Sequence, residues 1–361
     1  MRFRSTVSFV IAAALLAVLA GSARAGAGAA GAVYTLSNAA GGNAVLVFSR
    51  AHDGTLAPAG SYPTGGLGTG AGLGSQGALV RHHKSLFAVD AGSNQISAFE
   101  ITHDGLRLVS HVASGGVMPI SLTVHGNLVY VLNAGGTANI TGFTFRHDEL
   151  APLAGSTRSL SAAAPDPAQV QFTHDGRVLV VTEKGTNKID TYAVGNDGLA
   201  TGPNVHPSAG ATPFGFDIDR HGHLIVSDAF GGAPGASALS SYEVGHDGGL
   251  TTITPLAANG QTAACWVVIT KNGRYAYTTN TGSANVSSYT IGHDGAISLL
   301  QAAAGATGGG PIDAAIAKHF LYTLDSGGHD FSAFAIGANG SLTPLAGLAG
   351  LPASAVGLAA S

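Results

Sequence analysis

Histidines, carboxylates and amides are the side chains of this chain with the most chemistry to offer. Fifteen histidines would suit metal binding or proton transfer, but twelve of them fall in two recurring turn positions. Five stand in or beside Asp-Gly-type turns (His52, His103, His147, His246, His293), and seven in a second set (His82, His83, His125, His174, His221, His223, His319). Asp bonds its own backbone and Gly accepts positive φ in a tight turn, so the repeated His-Asp-Gly has a local structural reason. No metal site and no cofactor are expected. A different signal comes from Glu183-Lys184, a carboxylate beside an amine. A carboxylate of raised pKa is the usual general base for activating water, so Glu183 and Lys184 are the candidate catalytic residues.

Composition narrows the frame in which such residues must be held. Ten per cent charged and 45% apolar residues do not make a disordered chain, and 54 glycines among short Val, Leu, Tyr, Phe and Thr runs read as β-strands with many turns. The single cysteine, Cys265, excludes an internal disulfide and a cysteine-based zinc cage. A net charge of −4 leaves no electrostatic footprint for nucleic acid. At the N-terminus, Arg2 and Arg4 precede the apolar run Val7 to Ala20, and Ala23-Arg24-Ala25 is a small-x-small cleavage site before Gly26. Residues 1–25 are therefore expected to be a cleaved export signal, and the run is too short to span a bilayer. The mature chain is expected in a periplasm or outside the cell, free of the membrane.

A repeat organises the remainder. The turns centred on Asp53, Asp104, Asp148, Asp197, Asp247, Asp294 and Asn339 recur at intervals of 44 to 51 residues, a spacing typical of propeller blades. Two β-type runs around a glycine-rich bend precede each turn, as in Val129 to Phe145 and Leu179 to Val194. A further short apolar strand precedes all but the first pair. With the strand after the turn, each unit has four strands, A to D, and residues 26–361 read as one all-β, seven-bladed β-propeller of antiparallel blades. The first unit lacks an inner strand, and the tail Leu351 to Leu358 is expected to supply it and close the ring, removing two open sheet edges.

Propeller geometry then sorts residues by height. The A–B and C–D turns share one face, here called lower; the B–C turns and D–A connections share the other, the upper face, which is the expected ligand funnel. Most histidines fall on the lower face. The upper face receives one short acid or amide at each B-strand end, including Asn133, Asp228, Asn280 and Asp325 beside Glu183. The A-strand mouths add Gln76, Gln169, Phe214, Trp266 and Asp313. These are the candidate substrate-binding residues for a small, weakly polar ligand. A structural alternative for the B-strand-end set is that each caps its B–C bend.

The segments Val129-Tyr130-Val131-Leu132-Asn133-Ala134-Gly135-Gly136, Phe172-Thr173-His174-Asp175-Gly176-Arg177 and Lys271-Asn272-Gly273-Arg274-Tyr275-Ala276-Tyr277, with the Asp-Gly turns, resemble the lactonase-type seven-bladed propeller family. That family includes propeller 6-phosphogluconolactonases and carboxymuconate lactonising enzymes. The resemblance implies a site in the funnel that hydrolyses or forms the lactone ring of a small organic acid or sugar. The alternative is a noncatalytic propeller that binds a small ligand or a protein through the same face. A monomer is expected in either case.

Overall fold

The computed structural model describes residues 29–361, so the export-signal expectation lies outside the described residues. Seven separate antiparallel sheets follow one another around a ring, each running from an inner A strand to an outer D strand. The inner strands are Leu79–His82, Val117–His125, Pro167–Phe172, Pro213–Ile218, Ala264–Ile269, Pro311–Ala317 and, for the first blade, Val356–Ala360. Blade 3 carries one extra short strand, Arg158–Ser159, beside its C strand. Among the described residues the only helical element is a single turn, Phe230–Gly232.

The ring closes as expected, by the chain's end pairing with its beginning. Val33, Tyr34 and Thr35 pair with Ala360, Ala359 and Leu358. Arg50, fully buried, donates from Nε to the Ser361 carbonyl at 2.9 Å and from Nη2 to the Ala30 carbonyl at 2.7 Å. A closed ring leaves no inner edge to recruit another strand.

Between blades, apolar residues from both sheet faces pack in shared cores; Phe48 of the first blade meets Phe331 of the last edge-on at 5.0 Å. The Asp-Gly turns do more than reverse the chain. Tyr130, Tyr277 and Tyr322 each donate a hydroxyl to a turn glycine of the following blade, Gly198, Gly340 and Gly54, at 2.9, 3.0 and 2.7 Å. Those glycines have φ of +80°, +80° and +88°, and the turn aspartates accept backbone N–H groups two residues on, as Asp53 does from Thr55 at 3.0 Å. The local explanation of the repeated motif therefore holds, with an inter-blade contact added.

Candidate functional site

The B-strand-end side chains do not converge on a funnel. In each case the side chain is buried and ties its own blade to the D–A connection arriving from the previous one. Asp90 accepts from Ser97 Oγ and Thr64 Oγ1, both at 2.5 Å. Asn133 donates to the Ser114 carbonyl at 3.3 Å. Asn280 donates to Ser287 Oγ at 2.8 Å and accepts from Asn259 Nδ2 at 3.0 Å. Asp325 accepts from Ser332 Oγ at 2.5 Å and from the Gly308 N–H at 2.9 Å. Asp228 accepts from Ser208 Oγ at 3.3 Å, and burial lifts its carboxyl to about 7. Asn133, Asp228, Asn280 and Asp325 are thus corrected from substrate ligands to blade latches. A short polar side chain at a strand end is best spent satisfying the buried polar groups of an incoming loop.

Glu183 is the same latch in blade 4 and is likewise fully buried. Its oxygens accept from the Ser161 N–H at 3.0 Å, from Ser161 Oγ at 2.5 Å and from Thr186 Oγ1. Three donors already occupy its oxygens beneath the incoming loop, which argues against the expected general-base role. Its neighbour on the same face of the C strand, two residues beyond its register partner Lys188, is Asp190, where Asp90, Asn280 and Asp325 have serine seven residues on. Asp190 also accepts from the Ser161 N–H, at 2.8 Å. Burial, with a hydrogen bond and charge repulsion from Glu183, pushes the Asp190 carboxyl up to about 8.

Lys184 does a different job from the one expected. Its ammonium donates to the Gly74 carbonyl at 2.7 Å, lies 3.3 Å from Asp166 and sits 4.6 Å from the centre of the Phe214 ring. Gly74 belongs to a glycine-rich connection, residues 64–77, that leads from blade 1 to blade 2 and straps the upper face. Leu67 N–H bonds Ser93, Ser75 Oγ bonds the Ile120 carbonyl, and Gln76 N–H bonds the Ala168 carbonyl, at 2.9, 2.8 and 3.1 Å. Trp266 donates from its indole to the Ser75 carbonyl at 3.0 Å, and the Gln76 amide donates to the Val267 carbonyl at 2.8 Å. Trp266 and Phe214, ring centres 5.0 Å apart, pack with this strap rather than lining an open funnel. Nearby, burial pushes the Cys265 thiol up to about 11, so the sulfur is inert.

With the upper end strapped, the channel opens the other way. It holds a cavity of about 730 Å³ whose inner walls include Gln76, Gln169, Gln171 and Asp313, and whose mouth carries Arg81, His82, His83, His125 and His174 of the A–B turns. Three of the expected ligands, Gln76, Gln169 and Asp313, do come together here. Contrary to the histidine argument, His82, His83, His125 and His174 border this cavity on the lower face. Gln171 was missed; its signal was its place two residues from Gln169, on the same face of the strand.

The amides differ in what they can still offer. Gln169 donates to both Gln171 Oε1 and the Phe216 carbonyl, at 2.8 and 2.9 Å, and accepts from the Phe216 N–H at 2.8 Å, so it is a girder between blades 4 and 5. Among the described residues Gln76 donates only to Val267, and Gln171 only to Asp217 at 3.2 Å. Each therefore keeps one amide hydrogen free. Asp313 accepts from the Ala314 N–H at 2.8 Å, and its Oδ2 is buried, with the Leu358 backbone N–H close enough to favour the ionised form. Desolvation holds its carboxyl well above the usual carboxylate range. A proton-handling carboxyl and unused amide donors around one cavity are the parts needed to add water to a polarised carbonyl.

Ring, strap and channel define a seven-bladed β-propeller. Residues 144–229 match the family model described as lactonase, 7-bladed beta-propeller. A solved protein from Bacteroides fragilis, provisionally named a 6-phosphogluconolactonase, superposes with a TM-score of 0.72 at 19% identity, covering 92% of this chain and 98% of that one. A protein from Lactobacillus plantarum gives 0.73 at 17% identity over 92% and 99%, and the periplasmic gluconolactonase of Pseudomonas aeruginosa 0.66 at 16% over 90% and 98%. At such identities the likeness speaks for the fold. No curated protein matches the chain.

Proposed function

We propose that this propeller is an exported hydrolase of small lactones and that the reaction takes place in the channel cavity. The observation that carries the reading is Asp313, a buried carboxyl among the residues that line the cavity, held above the usual carboxylate range by desolvation. In its ionised form Asp313 takes a proton from water as the water oxygen bonds to the lactone carbonyl carbon. The free amide hydrogens of Gln76 and Gln171 hold the developing oxyanion. Collapse breaks the bond from that carbon to the ring oxygen, which takes up the proton, and a hydroxy acid results. The leader pattern of residues 1–25 and the periplasmic relative support export, and among the described residues no helix is long and apolar enough to cross a membrane.

Acid release from a panel of unphosphorylated sugar and aliphatic lactones tests this. Turnover is expected to rise with pH through the Asp313 titration, above the ordinary carboxylate range. Asp313→Asn should lower kcat about 10²-fold or more while the protein stays folded. Turnover with none of the lactones, or full activity in Asp313→Asn, would overturn the reading.

A further inference from the structure

Charge on the lower face is sorted into two rings. The A–B turns, nearest the axis, carry Arg81, Lys84, Arg220, Lys271, Arg274 and Lys318, all exposed. Among the described residues none of these six forms a salt bridge with a carboxylate; the ion pairs of the molecule involve other cations. The C–D turns, one strand pair further out, carry an aspartate in each of the first six blades, from Asp53 to Asp294. Only two acids occupy the A–B turns. Asp175 lies 3.1 Å from His246 and 3.8 Å from Arg177, and Asp219 lies 3.0 Å from His223. Six of the chain's 16 lysines and arginines thus form an unneutralised hub in a protein whose net charge is −4.

Four of the six border concave surface. Arg81 stands at the mouth of the 730 Å³ cavity. Lys271 and Lys318 line a cleft of about 400 Å³ between blades 6 and 7, and Arg220 one of about 350 Å³ between blades 4 and 5. Unpaired cations of one sign around concave, low-dielectric walls focus the field and concentrate anions there. An extended flat anionic surface would meet the acidic outer ring as well as the hub. A compact ligand would meet the hub alone.

We propose that the A–B hub is a binding site for a small multivalent oxyanion, carrying two or more phosphate or carboxylate groups, seated at the lower mouth of the channel. The site goes beyond the lactonase reading and needs no turnover. Calorimetric titration of the full chain with inorganic tripolyphosphate, and separately with citrate, tests it. One site per chain is expected for at least one probe, weakening about tenfold or more as salt rises from about 50 to 200 mM through screening. The two probes tell phosphate from carboxylate preference. The variant Arg81→Ala/Lys271→Ala/Lys318→Ala should lose binding about tenfold or more with an unchanged Tm, whereas Arg146→Ala/Arg158→Ala/Lys188→Ala should retain it. Asp313→Asn should also retain it, even where lactone turnover is lost, so the two readings fail separately. Absence of binding by either probe, equal loss in both triple variants, salt-insensitive binding, or association only with anionic phospholipid vesicles would overturn the proposal.

Discussion

Asp190→Ser should make this protein more resistant to alkali. In blades 2, 6 and 7 the residue seven positions after the B-strand latch is a serine: Ser97 and Ser332 donate their hydroxyls to Asp90 and Asp325, and Ser287 accepts from the Asn280 amide. Asp190 holds that position beside Glu183, and a carboxyl can donate there only while it carries a proton. Its pKa, raised from 3.8 to about 8 by burial and by Glu183, expresses this requirement, and the proton belongs to the pair. The native state then binds one more proton than the unfolded chain between those values, so stability is complete at acid pH and falls as pH rises toward the folded value. At about 1.4 kcal/mol per unit, the part of the loss between pH 5.5 and 8.5 comes to about 3 kcal/mol. Urea unfolding at the two pH values measures it in the wild type and in Asp190→Ser. The buried carboxyls Asp228, Asp313 and Asp325 are also raised and slope in the same direction in both proteins, so only the difference between the two slopes belongs to Asp190. Asp190→Ser should lose about 3 kcal/mol less across the interval, and parallel profiles would show that no proton is shared.

Deleting residues 351–361 removes Leu351, Val356 and Leu358, each at most 7% exposed, and with them the inner strand of the first blade; a loss of about 5 kcal/mol or more is expected, seen as a large drop in Tm or as insolubility. An unchanged Tm would refute ring closure by this strand. Gly340→Ala should cost more than Gly260→Ala. Both positions have left-handed φ, +80° and +69°, but a Cβ at Gly340 would lie 2.5 Å from the Tyr275 ring and one at Gly260 meets nothing within 4 Å. The backbone conformation alone costs about 1 kcal/mol, and urea midpoints of the two variants give the inter-blade contact as the remainder; equal midpoints would remove it.

Much of the fold was legible because its determinants are local. The Asp-Gly turns need only an aspartate that bonds its own backbone and a glycine at positive φ, and the strand runs between them repeat at blade length. Closure was legible too, since the first unit lacked a strand and the tail offered one. The candidate site was legible only at Gln169 and Asp313, polar residues on inner strands, and at Gln76, which leads into one. Glu183 and Lys184 misled because an acid beside an amine looks the same in sequence whether it borders water or is sealed under a loop.

What the sequence by itself determined is the number of blades, their four-strand order and the joining of the two ends, all consequences of turn chemistry and strand periodicity. Which face is open was decided only in three dimensions. The glycine-rich connection 64–77 carries no pattern that announces a strap, and its bonds reach Ser93, Ile120, Ala168, Lys184, Trp266 and Val267, partners up to 191 residues away. Closing the upper mouth turned the channel toward the lower face and set the A–B turns, with their arginines, lysines and histidines, around its entrance. Contacts at that sequence distance exist only once the ring has closed, because closure brings blades 2, 4 and 6 to a common axis.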